Sequence, residues 1–388
     1  MKRWRKLTEA ASVLYGRRFD NKWIAALHDV PLAMTDSVPL VRVGDVASGK
    51  ASTYYTGPIP SPPLKYIVKQ GDVVVSMSGN FNVNRWKDRD GLLDLRVMRV
   101  RGKTNSSSTG YLYHYLKPVF QRIEDETEGR RTKNLSAKQV NEIEVFLPSY
   151  KEQDEISTTL DVFSQTVDNF FRQAELRRIQ LEYFRDRLFD LEGKTDVRMT
   201  TLENICLNVF GGGTPSTTHP EYYQGTIPWL RTQEIDWNEI TDTEVKITSE
   251  AIQHSQAELI PAGCVIVAMY GCTAGKAAIN RIPLCTNQAC CNLQVNPKMA
   301  LPEYVFHYLA SQQANLKALG EGPRGNLNAT KIKTYPIPIP SLEEQRRIVA
   351  AINTFNKYIA NLERQVTLRT QQYEYYRNAI IKKQDKIF

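Results

Sequence analysis

The sequence predicts a mixed α/β chain: two similar globular domains separated by two long helices that pair as an antiparallel coiled coil, an internal pseudo-two-fold repeat. Three observations predict it. Two stretches of heptad spacing each open on a proline and a Ser-x-x-Glu box. The stretches align without a gap, from Leu147 in the first to Ile339 in the second, 192 positions apart. The segments ahead of them share short sequence blocks in one order.

In chain order, residues 1–146 read as the first domain and residues 194–338 as the second. Each opens on a short amphipathic stretch ending in an aromatic and a glycine, Leu7–Gly16 and Leu202–Gly211. Val38–Val43 and Ile227–Thr232 read as strands, followed by Asp45 and Glu234. Val73–Met77 and Val265–Met269 are β-rich runs bounded by Gly71 and Gly79 in one copy and Gly263 and Gly271 in the other. Tyr111–Leu116 and Tyr304–Leu309 read as helical, because His and Tyr alternate badly for a half-buried strand. Glu128-Gly-Arg-Arg131 through Ala137 matches Glu321-Gly-Pro-Arg324 through Ala329, and Ser136 and Asn328 cap the short helices that follow.

Residues 147–193 and 339–388 read as the two spacer helices. Ser149-x-x-Glu152 and Ser341-x-x-Glu344 satisfy orphan backbone donors at a helix start. The first seam is Ile156, Leu160, Phe163, Val167, Phe170, Ala174, Arg177, Leu181, Phe184 and Leu188; the second is Ile348, Ile352, Phe355, Ile359, Leu362, Val366, Arg369, Tyr373, Tyr376 and Ile380. A seam this narrow argues for a coiled coil rather than a globular core helix. The arginine interrupting each row at one place reads as a snorkelling stem on a solvated edge. Connectivity makes the pair antiparallel, and at ~1.5 Å per residue each helix spans on the order of 55–60 Å. The expectation is a rod with a domain at each end, its heads one to one and a half B-DNA turns apart at ~34 Å per turn.

Among 388 residues, 50 Lys and Arg against 42 Asp and Glu give a net charge of +8, which leans toward a polyanionic partner. No run of eighteen apolar residues is present, and the basic start Met1–Lys6 has no apolar core behind it, so neither a membrane span nor a secretory signal is expected. The six cysteines lie in the second half without C-x-x-C or paired histidines, and read as buried free thiols in a reducing cytoplasm rather than a metal site.

Catalytic motifs are weak. Gly271-Cys-Thr-Ala-Gly275-Lys276-Ala277 is one residue short of a P-loop and has Ala277 where a Mg²⁺-binding hydroxyl belongs. It reads instead as a backbone turn facing a partner such as a phosphate. Glu244-Val-Lys246 has nuclease-like spacing without an acidic partner in a Pro-Asp context. No Asn-Pro-Pro-Tyr, Asp-Pro-Pro-Tyr or strand-linked G-x-G-x-x-G is present, so no cofactor is expected. His114 and His307 fall at equivalent apolar positions and read as structural. The chain reads as non-catalytic.

One family combines these features. The Gly211-Gly-Gly-Thr214-Pro-Ser216 turn, Tyr222 and Tyr223, Gly225-Thr-Ile-Pro-Trp229, the strand ending Ala268-Met-Tyr-Gly271, and Pro340-Ser341-x-x-Glu344-Gln345 opening a long helix resemble the DNA-specificity subunit of Type I restriction-modification systems. In the first copy Gly16-Arg-Arg-Phe-Asp replaces the glycine-rich turn and Pro39-Leu replaces Pro-Trp. The resemblance implies two target-recognition domains joined by helical spacers, each reading one half of a bipartite site in double-stranded DNA. It implies as partners two modification subunits that bind S-adenosylmethionine and methylate adenine, and restriction subunits that hydrolyse ATP.

Candidate DNA contacts are basic residues for phosphates and amide, hydroxyl or arginine side chains on loops for base edges. In the first domain they are Arg17, Arg18, Ser78, Asn80, Asn82, Asn84, Arg85, Lys87, Arg130, Arg131 and Lys133. In the second they are Thr214, Ser216, Arg231, Gln233, Tyr270, Thr273, Lys276, Arg324 and Asn326. The competing readings are a coiled-coil scaffold without DNA function, which leaves the basic balance and arginine-bearing loops unexplained, and a specificity subunit of another restriction class.

Overall fold

The computed structural model describes residues 3–26, 37–58, 67–127, 133–191, 196–320 and 326–384. Packing divides the chain into two compact units, residues 1–170 with 365–388, and residues 171–364.

In the first unit, the valine run becomes the strand Val73–Ser76, buried along its whole length. It lies between Val97–Gly102 and Val83–Arg85 in a four-stranded antiparallel sheet whose other edge is Ala11–Tyr15. Gly71 and Gly79 hold φ of +89° and +71°, a backbone that side chains resist, which is why glycines bound the run. The helix Thr109–Asp125, capped by the Ser108 hydroxyl, packs Tyr111, Leu112, Tyr115, Leu116 and Phe120 into the core with Val73, Val75 and Met98. A second sheet of five short strands includes Val38–Val41 running parallel to Gly91–Leu93.

The second unit repeats the plan. Val265–Ala268 lies between Cys290–Val295 and Ala277–Asn280, with Cys206–Gly211 at one edge and an added parallel strand, Asn238–Ile240, at the other. Gly263 and Gly271 hold φ of +89° and +83°. Ile227–Leu230 runs parallel to Cys285–Thr286, as its counterpart does in the first unit. The helix Pro302–Ser311 fills the place of Thr109–Asp125. In both units a tyrosine of this helix reaches the strand that leads to a long helix: Tyr111 Oη donates to the Phe146 carbonyl at 2.8 Å, and Tyr304 Oη to that of Pro338 at 2.7 Å.

The long helices run Tyr150–Leu188 and Leu342–Gln384. At the first start, Glu152 accepts from the Ser149 amide at 2.9 Å and the Ser149 hydroxyl accepts from the Glu152 amide at 3.3 Å, the reciprocal box that the spacing predicts. Within each unit the segments of the two helices run antiparallel. Phe163 stacks on Tyr376 with Ile156 near Ile381 in the first unit, while Phe184 meets Phe355 and Arg178 pairs with Glu363 in the second. Arg369 is exposed and Arg177 half-buried, its guanidinium 5.4 Å from the Tyr358 ring, as snorkelling stems should be. The seam departs from heptads near its end: Tyr373, Arg377 and Ile381 are buried and Tyr376 is exposed. There Ile381 joins the core of the domain itself, so a broader face is covered and the spacing becomes four.

One glutamine brackets each domain to its helix. Gln153, with no exposed surface, accepts from the Ser108 amide at 2.9 Å and donates to the Ser106 and Pro148 carbonyls at 3.1 and 2.9 Å. Gln345, equally buried, accepts from the Leu301 amide at 2.9 Å and donates to Met299 and Pro340 carbonyls at 3.1 and 3.0 Å. Truncation to Ala would strand backbone groups that water cannot reach. Gln153→Ala is expected to destabilise the first unit by on the order of 2–4 kcal/mol, and Gln345→Ala the second, read as separate losses of hydrogen-exchange protection in peptides of each unit.

Candidate nucleic-acid interface

Each unit presents a turn after its central strand, laced to a segment that arrives from far along the chain. In the first unit the turn Met77–Asn82 folds on Ser76, whose hydroxyl donates to the Asn80 carbonyl at 2.6 Å and accepts from the Asn82 amide at 2.8 Å. The Leu135 amide donates to the Met77 carbonyl at 2.8 Å, the Gly79 amide to the Lys133 carbonyl at 3.0 Å, and Ser78 bridges to Asn134. Lys133 Nζ lies 3.6 Å from Glu124, which also accepts from the Phe81 amide. Ser78, Asn80, Asn82 and Lys133 are thereby brought together.

The second unit repeats the lacing, with the Leu327 amide donating to the Met269 carbonyl at 2.8 Å. This places Asn326 beside the turn that carries Tyr270, Thr273 and Lys276. Tyr270 is 41% exposed. The P-loop-like stretch is a compact turn. Gly275 has φ +82°, the buried Thr273 hydroxyl donates to the Thr232 carbonyl at 2.8 Å, and Lys276 pairs with Asp236 at 2.6 Å. Asn326 Oδ1 is buried without a hydrogen-bond partner among the described residues.

The remaining candidates scatter. Arg17 and Arg18 are exposed, with Arg17 bridging in parallel to Asp94. Thr214 donates to Gln288 and Ser216 meets the Thr218 hydroxyl at 2.7 Å, both on the exposed glycine-rich turn. Arg231 forks between Glu244 at 2.5 Å and Glu234 at 3.7 Å, next to exposed Gln233. Asn84, Arg85 and Lys87 are engaged by other parts of the unit: the Asn84 amide donates to the Ala47 carbonyl at 2.7 Å, half-buried Arg85 pairs with Asp161 at 2.7 Å and exposed Lys87 with Asp168 at 3.3 Å. Arg130, Arg131 and Arg324 lie outside the described residues. Gln288, Asp161 and Asp168 complete these contacts and carried no signal in the sequence, since each meets its partner across long separations.

Among the described residues no group of His, Cys, Asp and Glu is arranged to hold a metal, and no helix is long and apolar enough to cross a membrane. Burial pushes the Cys264 and Cys285 thiols up to about 11, which keeps them protonated.

A family model described as the Type I restriction modification DNA specificity domain matches residues 35–176 and again residues 195–369. The chain belongs to this family. The specificity subunit of the EcoR124I/EcoR124II Type I restriction enzyme of Escherichia coli is 27% identical over 316 residues, 76% of this chain and 77% of that one. The EcoBI specificity subunit of Escherichia coli is 25% identical over 368 residues, 85% of this chain and 76% of that one. The crystal structure of the S subunit from M. genitalium matches with a TM-score of 0.60 at 16% identity, covering 99% of this chain and 96% of that one, a likeness of fold.

In this specificity subunit the two histidines anchor domain helix to long helix, with different chemistry in each unit. His114 Nε2 lies 2.8 Å from Asp161 Oδ1 and Nδ1 lies 2.8 Å from Tyr373 Oη, so the neutral ring donates to the carboxylate and accepts from the phenol. His307 Nε2 instead meets the amide oxygen of Asn353 at 3.2 Å. Asp161 and Asn353 are equivalent positions, 192 apart. Burial lowers the His114 pKa, and Asp161 only partly opposes it. Burial would raise Asp161, but hydrogen bonds from His114 and Arg85 outweigh it and hold the carboxyl below its ordinary value.

A depressed histidine pKa means that the unfolded state binds more protons, so its contribution is full above about pH 6.5 and lost as pH falls toward the folded value. Asp161 adds stability above its ordinary value, lost only at still lower pH. Hydrogen-exchange protection of Thr109–Asp125, corrected for intrinsic rates, is therefore expected to fall between pH 7 and pH 5. His114→Gln should flatten that fall in the first unit and leave Pro302–Ser311 unaffected; an unchanged slope in the variant would assign it to another group.

Proposed function

We propose that this chain is the non-catalytic, DNA-reading subunit of a Type I restriction-modification complex. Its recognition domains are residues 1–146 and 194–338, each reading one half of a bipartite double-stranded site, and residues 147–193 and 339–388 are spacers that dock two modification subunits, with restriction subunits joining the full assembly. The observation that carries the reading is the family match to both repeats, each of which sets a polar turn and a distant polar segment side by side at the same place on its sheet.

The twenty candidate contacts divide by what surrounds them. Asn80, Arg17, Arg18, Thr214, Ser216, Gln233 and Tyr270 are exposed, so DNA can reach them. Lys276 and Arg231 hold surface ion pairs, which are worth little and exchange readily for phosphate oxygens. Lys87, exposed beside Asp168, belongs with them, whereas Arg85 would have to leave the half-buried Asp161 to do the same.

Co-expression with a candidate modification subunit, in a methylation-free host, followed by mapping of modified adenines, tests the reading directly. A two-part motif with a fixed gap that disappears when this chain is omitted is the expected result; a stable complex without methylation would return the scaffold reading. Within that system Asn82→Ala should relax the sequence of one half-site. Arg131→Ala should weaken binding to all sequences alike and reduce the salt slope by about one. Unchanged affinity and salt dependence would remove Arg131 from the contact set.

A further inference from the structure

The first unit contains a polar cleft of about 930 Å³, walled by Phe81–Lys87, the domain helix and segments of both long helices. Along one wall cations and tyrosines alternate. The Arg85 guanidinium lies 4.7 Å from the Tyr113 ring, Lys117 Nζ lies 4.9 Å from Tyr113 and 5.6 Å from Tyr373, and the Arg377 guanidinium lies 5.3 Å from Tyr373. Asp161 neutralises Arg85. Among the described residues no carboxylate pairs with Lys117 or Arg377. Arg377 lines the cleft at 9% exposure, donates from Nε to the Asn378 amide oxygen at 3.2 Å and also hydrogen-bonds the Tyr373 side chain, both of them neutral partners.

The nearby acids have other partners: Asp168 pairs with Lys87 and acts on Lys117 only at a distance, Glu124 pairs with Lys133, and Asp125 accepts from the Gln121 amide. Glu374 lines the cleft with its side chain exposed. Two like charges flanking one ring, partly stripped of water, are costly unless a counter-charge enters. Tyrosine faces attract cations but do not neutralise them.

We propose that this cleft binds a small oxyanion of the phosphate class, held by Lys117 and Arg377. The neighbouring Asn378 amide nitrogen and Thr370 hydroxyl offer neutral donors for its remaining oxygens. The volume suits a small molecule. The recessed position of Arg377 favours such a ligand over the backbone phosphate of a rigid duplex. The second copy keeps only the arginine of this set: Arg185 stands at the position equivalent to Arg377, but Ala310 and Leu181 stand at those of Lys117 and Tyr373. Among the described residues the site is therefore confined to the first unit, and the inference stands whether or not the DNA-reading proposal does.

Isothermal titration of inorganic phosphate into the full chain, at constant ionic strength with chloride as the matched anion, tests it. One saturable site is expected, weakened about tenfold or more in Arg377→Gln and in Lys117→Met, since each removes a charge-assisted contact, and unchanged in Arg369→Gln on the exposed helix face. Retained circular dichroism separates loss of binding from loss of fold, and the wild-type titration stands by itself. No saturable heat beyond chloride would overturn the proposal, as would equal affinity in both cleft variants. Equal binding of acetate would overturn the phosphate class. Competitive displacement of phosphate by an unrelated DNA duplex would reassign the cleft to nucleic-acid backbone.

Discussion

Each domain depends on a single buried amide. A glutamine side chain can satisfy one donor and two acceptors at once, and Gln153 and Gln345 do so between the loop that precedes the domain helix and the proline that precedes the long helix. Rotation or sliding of the long helix at this point would leave three backbone groups without water or partner, each costing about 1–3 kcal/mol. The bracket therefore sets the direction in which the helix leaves its domain. The tyrosine bond to the preceding strand, Tyr111 to Phe146 and Tyr304 to Pro338, braces the same corner from the other side.

Above this common fastening the two units diverge in kind. The first adds charge: His114 and Arg85 on Asp161, and Lys87 on Asp168 seven residues along the same helix. The second substitutes a neutral amide at Asn353 and relies on apolar packing, with Phe189 against Tyr304 and Tyr308 and with Ile348 and Ile352 in its core. An ionic attachment weakens with salt while an apolar one does not; acid bears on both, because burial lowers the His307 pKa as it does that of His114. The two domains thus share an architecture but not a response to salt.

Much of this was legible in the sequence where the signal is local. Glycines at Gly71, Gly79, Gly263 and Gly271 announced the ends of two buried strands, and capping residues at Ser136, Asn328 and Ser149 announced helix starts. The seam was readable until the domain core took over at Arg377 and Ile381, where a neighbour from another part of the chain changed the period. The added edge strand Asn238–Ile240 and the partners that engage Asn84, Arg85 and Lys87 were not legible. Basic and amide residues on a loop look alike whether they face solvent or reach a carbonyl or carboxylate 37 to 81 residues away.

The short two-stranded ribbons at the base of the domains have a further consequence. Arg3–Lys6 pairs with Glu144–Leu147, and Arg198–Thr201 with Pro336–Ile339, so each domain enters and leaves through adjacent strands before its helix begins. Everything between those strands is a closed excursion of the chain. Its loops can lengthen, shorten or change sequence without altering where the helix starts, so long as the ribbon, the tyrosine and the glutamine remain. A fold joined at such a hem admits exchange of whole domains as cassettes, and new binding preferences can arise by recombination at the hem rather than by gradual rebuilding of the helices.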